Sequence, residues 1–298
     1  LKAIKDCFFY GNWFYGLCAV ALSIEASMQQ FVPLNGILYY AAVFMITVVY
    51  YTKAYINVSS MKDSYNTRTK WYVEHKKLTI KTQWVQAILL VILSFIVGAD
   101  LGTSILLLTP LEWMIILAFP LLALGYYGLG YCFNLRNNGW LKPFVIGLVW
   151  AGLVTIIPVL YYSIKHHSEF EFNARCIVLF LKNWMFVAML CILFDIKDYA
   201  IDSNQFLETF VVQKGLRKTI FRIVIPLTII GFMVFILYSI KNQFPIGRIL
   251  INTIPFIALL IVSYTLIKRK SLLYYLSIVD GLMLLKAICG MVAILLFK

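Results

Sequence analysis

The sequence predicts an all-α polytopic membrane protein with nine transmembrane helices. Three observations carry this. The 298 residues are 62% hydrophobic and 13% charged, with a mean hydropathy of +0.87, whereas soluble domains are about 45–50% apolar and about 25% charged. Apolar runs near the roughly 20 residues needed to cross a bilayer recur along the whole chain. The basic residues fall unevenly on the connections between those runs.

Taken in order, the expected spans are 11–32, 35–57, 83–108, 112–134, 143–164, 174–195, 218–240, 247–267 and 272–297. Turn-rich stretches separate most of them: VPLNG at 32–36, TPLE at 109–112, NLRNNGWLKP at 134–143 and NQFPIG at 242–247. Pro and Gly end helices there by removing a donor or loosening φ. Two connections are longer and polar, from Asn57 to about Thr82 and from Asp195 to about Lys218. Each follows an even-numbered span, so both lie on one side of the membrane. No soluble domain interrupts the pattern, and 1–298 reads as one transmembrane domain. No signal peptide with a cleavage site is visible.

With the N-terminus in the cytoplasm, 19 of the 26 Lys and Arg residues fall on inner segments and five on outer ones: Lys165, Arg175, Lys241, Arg248 and Lys298. That asymmetry orients the chain. The net charge of +13 is thereby assigned to the membrane surface and to anionic lipid or diphosphate, and no nucleic-acid partner is expected. The six cysteines are scattered through apolar runs without CxxC spacing, and His75, His166 and His167 lack ligand spacing. Within the spans, Glu25, Asp100, Lys182 and Lys286 carry charge, with Asp280 near the start of the last span. A charge at the bilayer centre costs about 2.5–3.5 kcal/mol on insertion scales. Lys182 and Asp100 lie towards span ends, where snorkelling is expected. Glu25 and Lys286 lie deeper and either pair or line a cavity.

The stretch FDIKDYAID, Phe194 to Asp202, places Asp195, Asp198 and Asp202 within eight residues of a chain that has only 13 acids. At about 100° per residue, steps of three and seven put all three within about 60° on one helix face. Carboxylates gathered at a membrane boundary repel each other unless a cation lies between them. Hard oxygen donors suit Mg²⁺, and Mg²⁺ commonly accompanies phosphate or diphosphate. The alternative is a solvated helix end whose acids face water.

The stretch LFDIKDYAIDSNQFLETFVVQKGLRK, Leu193 to Lys218, resembles the second aspartate-rich motif of the UbiA-type intramembrane prenyltransferase superfamily. Asp195, Asp198 and Asp202 match its acids, Thr209-Phe210-Val211 its threonine-leucine-proline-like stretch, and Gly215 its glycine. Leu135 to Pro158 is similar to the family's fourth connection and fifth helix. Gly11 to Ser27 is similar to the first helix of a divergent bacterial branch, and Tyr274 to Leu285 to its last. The resemblance implies nine helices around a central cavity and a location in the bacterial inner membrane. It also implies Mg²⁺ as cofactor, with a polyprenyl diphosphate and a small-molecule acceptor, usually aromatic, as partners in a lipid setting. Asp195, Asp198 and Asp202 are then the catalytic, metal-holding acids. Arg68, Lys70, Arg217 and Lys218 are the expected diphosphate contacts, with Asn57 and Asp63 completing the first loop, Asp63 as a metal ligand.

The first motif of that family, roughly Asn-x-x-x-Asp-x-x-x-Asp, is altered here. If Asn57 is its asparagine, the acid positions hold Met61 and Tyr65, and Asp63 is out of phase. Asp63 takes over through an irregular backbone, or the first loop no longer holds metal. Arg68 and Lys70 contact diphosphate or lipid headgroups. The reading is therefore a prenyltransferase, transferring an alkyl group other than methyl, with a non-catalytic family member that binds an isoprenoid or a partner protein as the alternative. A transporter fits less well, since no helices in matched positions of two halves are broken by Gly and Pro.

Overall fold

The computed structural model describes residues 2–58, 67–127, 138–204 and 207–297. Every regular element among them is helical. In chain order they are α1 (Lys2–Tyr10), α2 (Trp13–Gln29), α3 (Ile37–Val58), α4 (Thr67–Glu74), α5 (Lys76–Leu101) and α6 (Pro110–Tyr127). The remainder are α7 (Lys142–Lys165), α8 (Ala174–Asn204), α9 (Phe210–Lys214), α10 (Leu216–Lys241), α11 (Ile246–Thr265) and α12 (Leu272–Leu296). Met61, Asp63 and Tyr65 lie outside the described residues, as do residues 134–137 of the 134–143 connection.

Among the described residues, seven helices are long and apolar enough to cross a membrane, or eight if α1 and α2 form one bent span. α6 is the remaining helix of the expected map and is shorter, at Pro110–Tyr126. The expected third span starts earlier than its apolar run, because α5 begins at Lys76 and continues through a 3₁₀ turn at Gly102–Leu107. α1, which precedes the expected first span, meets α2 at a bend of 60°, where Asn12 takes the left-handed conformation at φ 64°.

Three spans carry a π-helical turn, at Gly152–Ile156 in α7, Ile220–Val224 in α10 and Tyr275–Val279 in α12. In α7 and α10 a proline follows one residue later, Pro158 and Pro226. Proline offers no N–H and its ring crowds the carbonyl one turn back. Widening that turn lets Ile157 and Ile225 bond to the carbonyls of Gly152 and Ile220 instead. The helices stay continuous through a residue that would otherwise break them.

The chain falls into two compact units, with the division running through α2. The first comprises residues 1–21 and 35–106, in which α3 packs along α5 and α4 joins both. The second comprises 22–34 and 107–298, in which α7 packs along α8 and α11 along α12. In lipid this packing is driven by close van der Waals fit and by satisfying polar groups, because apolar side chains gain nothing by leaving one apolar solvent for another.

Candidate active site at the acidic helix end

α8 continues beyond its apolar run, so the acidic residues extend the helix instead of opening a loop. Asp195 and Asp202 are buried and Asp198 is half-buried on the same face. Lys142, at the start of α7, places its Nζ 2.6 Å from Asp195 Oδ1. Lys197 pairs with Asp198. The second carboxylate oxygens of Asp195 and Asp202 are buried and have no hydrogen-bond partner. Burial raises the Asp202 carboxyl to about 6, with Lys142 opposing the shift and Asp195 and Asp198 adding to it. Among the described residues no group of three His, Cys, Asp or Glu side chains converges closely enough to hold one ion. Lysine ammonium groups neutralise two of the three acids.

The segment after the acids closes back onto them. Leu207 N bonds to the Asp202 carbonyl at 2.9 Å. Thr209 caps the short α9 by accepting from Val212 N at 3.4 Å. Gly215 follows at φ 79°, a conformation that glycine reaches without a Cβ clash. Thr219 then donates to the carbonyls of Phe210 and Gly215, both at 3.0 Å. The motif-like residues Thr209 and Gly215 thus begin and end one helical turn. Arg217 and Lys218 are exposed beyond it. Below the acids, Phe144 of α7, Leu227 of α10 and Trp184, Met185, Ala188, Met189 and Ile192 of α8 line an apolar cavity of about 120 Å³. Ile192 is one turn before Asp195, so charged head and apolar lining follow each other along one helix.

In the first unit, Asn57 stands in the last turn of α3. Lys70 is exposed on α4, whereas Arg68 is 2% exposed. The Arg68 guanidinium donates to Tyr55 Oη at 3.0 Å, to the Tyr10 carbonyl at 3.1 Å and to Asn12 Oδ1. Asn12 Nδ2 in turn donates to Thr52 Oγ1 at 3.1 Å and to Tyr72 Oη at 3.2 Å. Tyr72 donates to the Tyr10 carbonyl at 2.8 Å, and its burial pushes the phenol up. Arg68 therefore ties α4 to the α1–α2 bend.

Sequence reasoning passed over Lys142, Asn12, Thr52 and Tyr72. Lys142 counted only as one more inner cation. The signal for Asn12 and Thr52 was available: lone polar residues inside apolar spans need partners.

Neither a known family profile nor a curated protein matches the chain by sequence. Among solved structures, a digeranylgeranylglyceryl phosphate synthase, from a study of that enzyme in membranes, matches over 99% of each chain with a TM-score of 0.55 and 14% identity. The fold is that of a UbiA-type prenyltransferase. The all-helical, membrane-crossing architecture expected from the sequence is the one observed, with seven or eight candidate spans among the described residues where nine were expected.

Proposed function

We propose that the chain is an intramembrane prenyltransferase that uses Mg²⁺ and a polyprenyl diphosphate to prenylate a small-molecule acceptor, an aromatic one in the first instance. The observation that carries this reading is the pair of buried, unpartnered carboxylate oxygens on Asp195 and Asp202. A buried acceptor oxygen without a donor is costly unless a cation or proton reaches it. The donor set is all hard oxygen, as Mg²⁺ requires. Asp195, Asp198 and Asp202 would supply carboxylate oxygens to an ion shared with the diphosphate rather than close around it by themselves. That ion when bound would supply positive charge to the departing diphosphate. The UbiA-type fold supports the same substrate class, and the structural neighbour is by name a synthase of a digeranylgeranyl compound.

The residues themselves do the rest. Lys142 pairs with Asp195 and, once that pair opens, lies ready to meet a phosphate oxygen. Arg217 and Lys218, exposed after the Gly215 turn, offer further cations, as does the exposed Lys70. Asn57 and Asp63 keep the first-loop roles that the resemblance gives them, whereas the Arg68 guanidinium, also expected on the diphosphate, is taken up by Tyr55, Tyr10 and Asn12. The apolar cavity beneath the acids excludes water from an allylic chain. Chemistry of this kind suits a site in which charge is neutralised at one end and water is absent at the other.

A second reading, a non-catalytic member that binds an isoprenoid or a partner protein, is favoured by Met61 and Tyr65 at the acid positions of the first loop. Pyrophosphate release from a panel of polyprenyl diphosphates, with and without Mg²⁺, separates the two. Mg²⁺-dependent release that Asp198→Asn abolishes supports the enzyme. Mg²⁺-dependent binding of a prenyl diphosphate analogue should also weaken as pH falls through about 6, where Asp202 takes a proton. Asp202→Asn should remove that pH step. No release from any diphosphate, with analogue binding unchanged in Asp198→Asn, would leave the non-catalytic reading.

A further inference from the structure

We propose that Arg175 and Arg248, gathered around Phe31 and Phe244, form a binding site for a phosphate-bearing anion such as an anionic phospholipid headgroup. The site lies in the second unit, at the end of α8 opposite its acids. Arg175 is at the start of that helix and Asp195 stands 20 positions later, about 30 Å along the axis.

The decisive feature is an arginine buried without an anion. Arg248 is 5% exposed, and its Nε is buried with no hydrogen-bond partner. The ion pairs among the described residues are Lys142–Asp195, Lys197–Asp198 and Lys286–Glu25, and neither Arg248 nor Arg175 enters one. Glu169 and Glu171, exposed in the connection before α8, make no ion pair there either. What surrounds Arg248 is aromatic. Its guanidinium carbon is 4.0 Å from the Phe244 ring centroid and 5.9 Å from that of Phe31. The Arg175 guanidinium carbon is 4.7 Å from the same Phe31 ring. Two cations thus share one ring, and each repels the other. Cation–π contact eases a guanidinium's loss of water but satisfies none of its five N–H donors. A phosphate satisfies several at once, because its oxygens match the guanidinium fork.

The backbone holds the two rings in place. Phe31 itself sits at φ 56° and Gln243, before Phe244, at φ 53°. Both close the C-terminal end of a helix. Val32 N bonds to the Ser27 carbonyl at 3.0 Å and Phe244 N to the Ser239 carbonyl at 2.9 Å. This is the left-handed cap that glycine usually supplies. Here two non-glycine residues adopt it, and the Phe31 and Phe244 rings stand near Arg248. Arg248 and Arg175 also lie in the first turns of α11 and α8, whose exposed N–H groups favour an anion.

The test uses the purified full chain in detergent, titrated with dioctanoyl phosphatidylglycerol, dioctanoyl phosphatidylcholine and inorganic phosphate. Binding is read by native mass spectrometry and by the shift in Tm. The phosphatidylglycerol should bind and raise Tm, and Arg175→Gln and Arg248→Gln should each bind it about tenfold more weakly, the loss expected for one charge-assisted hydrogen bond. Lys241→Gln, an exposed cation at the same end, should bind as the parent does. Arg175 is exposed, so its variant decides the matter even if Arg248→Gln does not fold. Competition by inorganic phosphate would assign the site to a free anion, and its absence to the lipid headgroup. Equal binding by parent and Arg175→Gln, equal loss in Lys241→Gln, or no binding of any phosphate compound would overturn the proposal. None of these outcomes depends on prenyl transfer.

Discussion

Glu25 is 0% exposed, yet both its oxygens are engaged. Lys286 Nζ lies 2.8 Å from Oε2, and Gln29 Nε2 lies 2.8 Å from Oε1. Gly290 leaves the space: a Cβ there would stand 2.5 Å from Oε1. Lys182 lies near the pair, its ammonium 5.2 Å from the ring centroid of the buried Phe235. It therefore reaches an aromatic interior, where snorkelling was the expectation. Removing one partner of a buried pair strands the other charge and typically costs about 3–5 kcal/mol, whereas replacing both with apolar groups is often neutral. Lys286→Met and Glu25→Leu should each lower the unfolding temperature in detergent, and the double variant should recover most of the loss. A double variant no better than the worse single one would show that the pair is not an isolated unit.

At the scale of elements, the turn before α7 and the segment after α8 fit against each other through Gly139. A Cβ on Gly139 would meet the Glu208 carbonyl carbon at 2.5 Å and Thr209 N at 2.6 Å. Both are backbone atoms, so no side-chain rotation relieves the contact. The Gly139→Ala variant should therefore shift the Thr209 cap of α9, at a cost of about 1–3 kcal/mol as for other overpacked sites. Lys142 follows within one turn of Gly139, so the same shift should weaken its bond to Asp195. Thermal unfolding measures the first effect and metal-dependent analogue binding the second. Unchanged values for both would mean that the turn and the acidic segment move together without loss.

For the whole molecule, the uneven distribution of basic residues leads to a topology prediction, with the N-terminus and the acidic end of α8 in the cytoplasm. The structure selects the reporter positions. His167 is at φ 52° and His75 stacks on Trp71 with ring centroids 4.9 Å apart, so a cysteine at either would disturb its surroundings. Lys76 and Ser168 are exposed neighbours. In a background lacking the six native cysteines, Lys76→Cys should be labelled only from the cytoplasmic side and Ser168→Cys only from the other. Labelling of both from one side would overturn this orientation.

The sequence by itself determined that the chain is built of apolar, membrane-crossing helices and that the three acids share one face. Both are local properties: a run of apolar residues has a length wherever the helix goes, and residues three and seven apart share a face of any helix. It also carried the likeness of Leu193 to Lys218 to one motif, since that pattern is contiguous. The bend at Asn12 and the short α6 were less legible, because a helix break inside an apolar run depends on which partners wait for its polar groups. Only the tertiary structure decided that Lys142 meets Asp195, 53 residues away, that Lys286 meets Glu25 across 261 residues, and that Arg68 reaches Asn12. It alone gathered Arg175, Arg248 and their two rings. Periodicity fixes which residues of a helix lie together, but not which way that face turns or which helix it meets. Inside a bilayer every helix is apolar, so partner and rotation are set by the few polar groups that must find each other and by the small residues that let them approach.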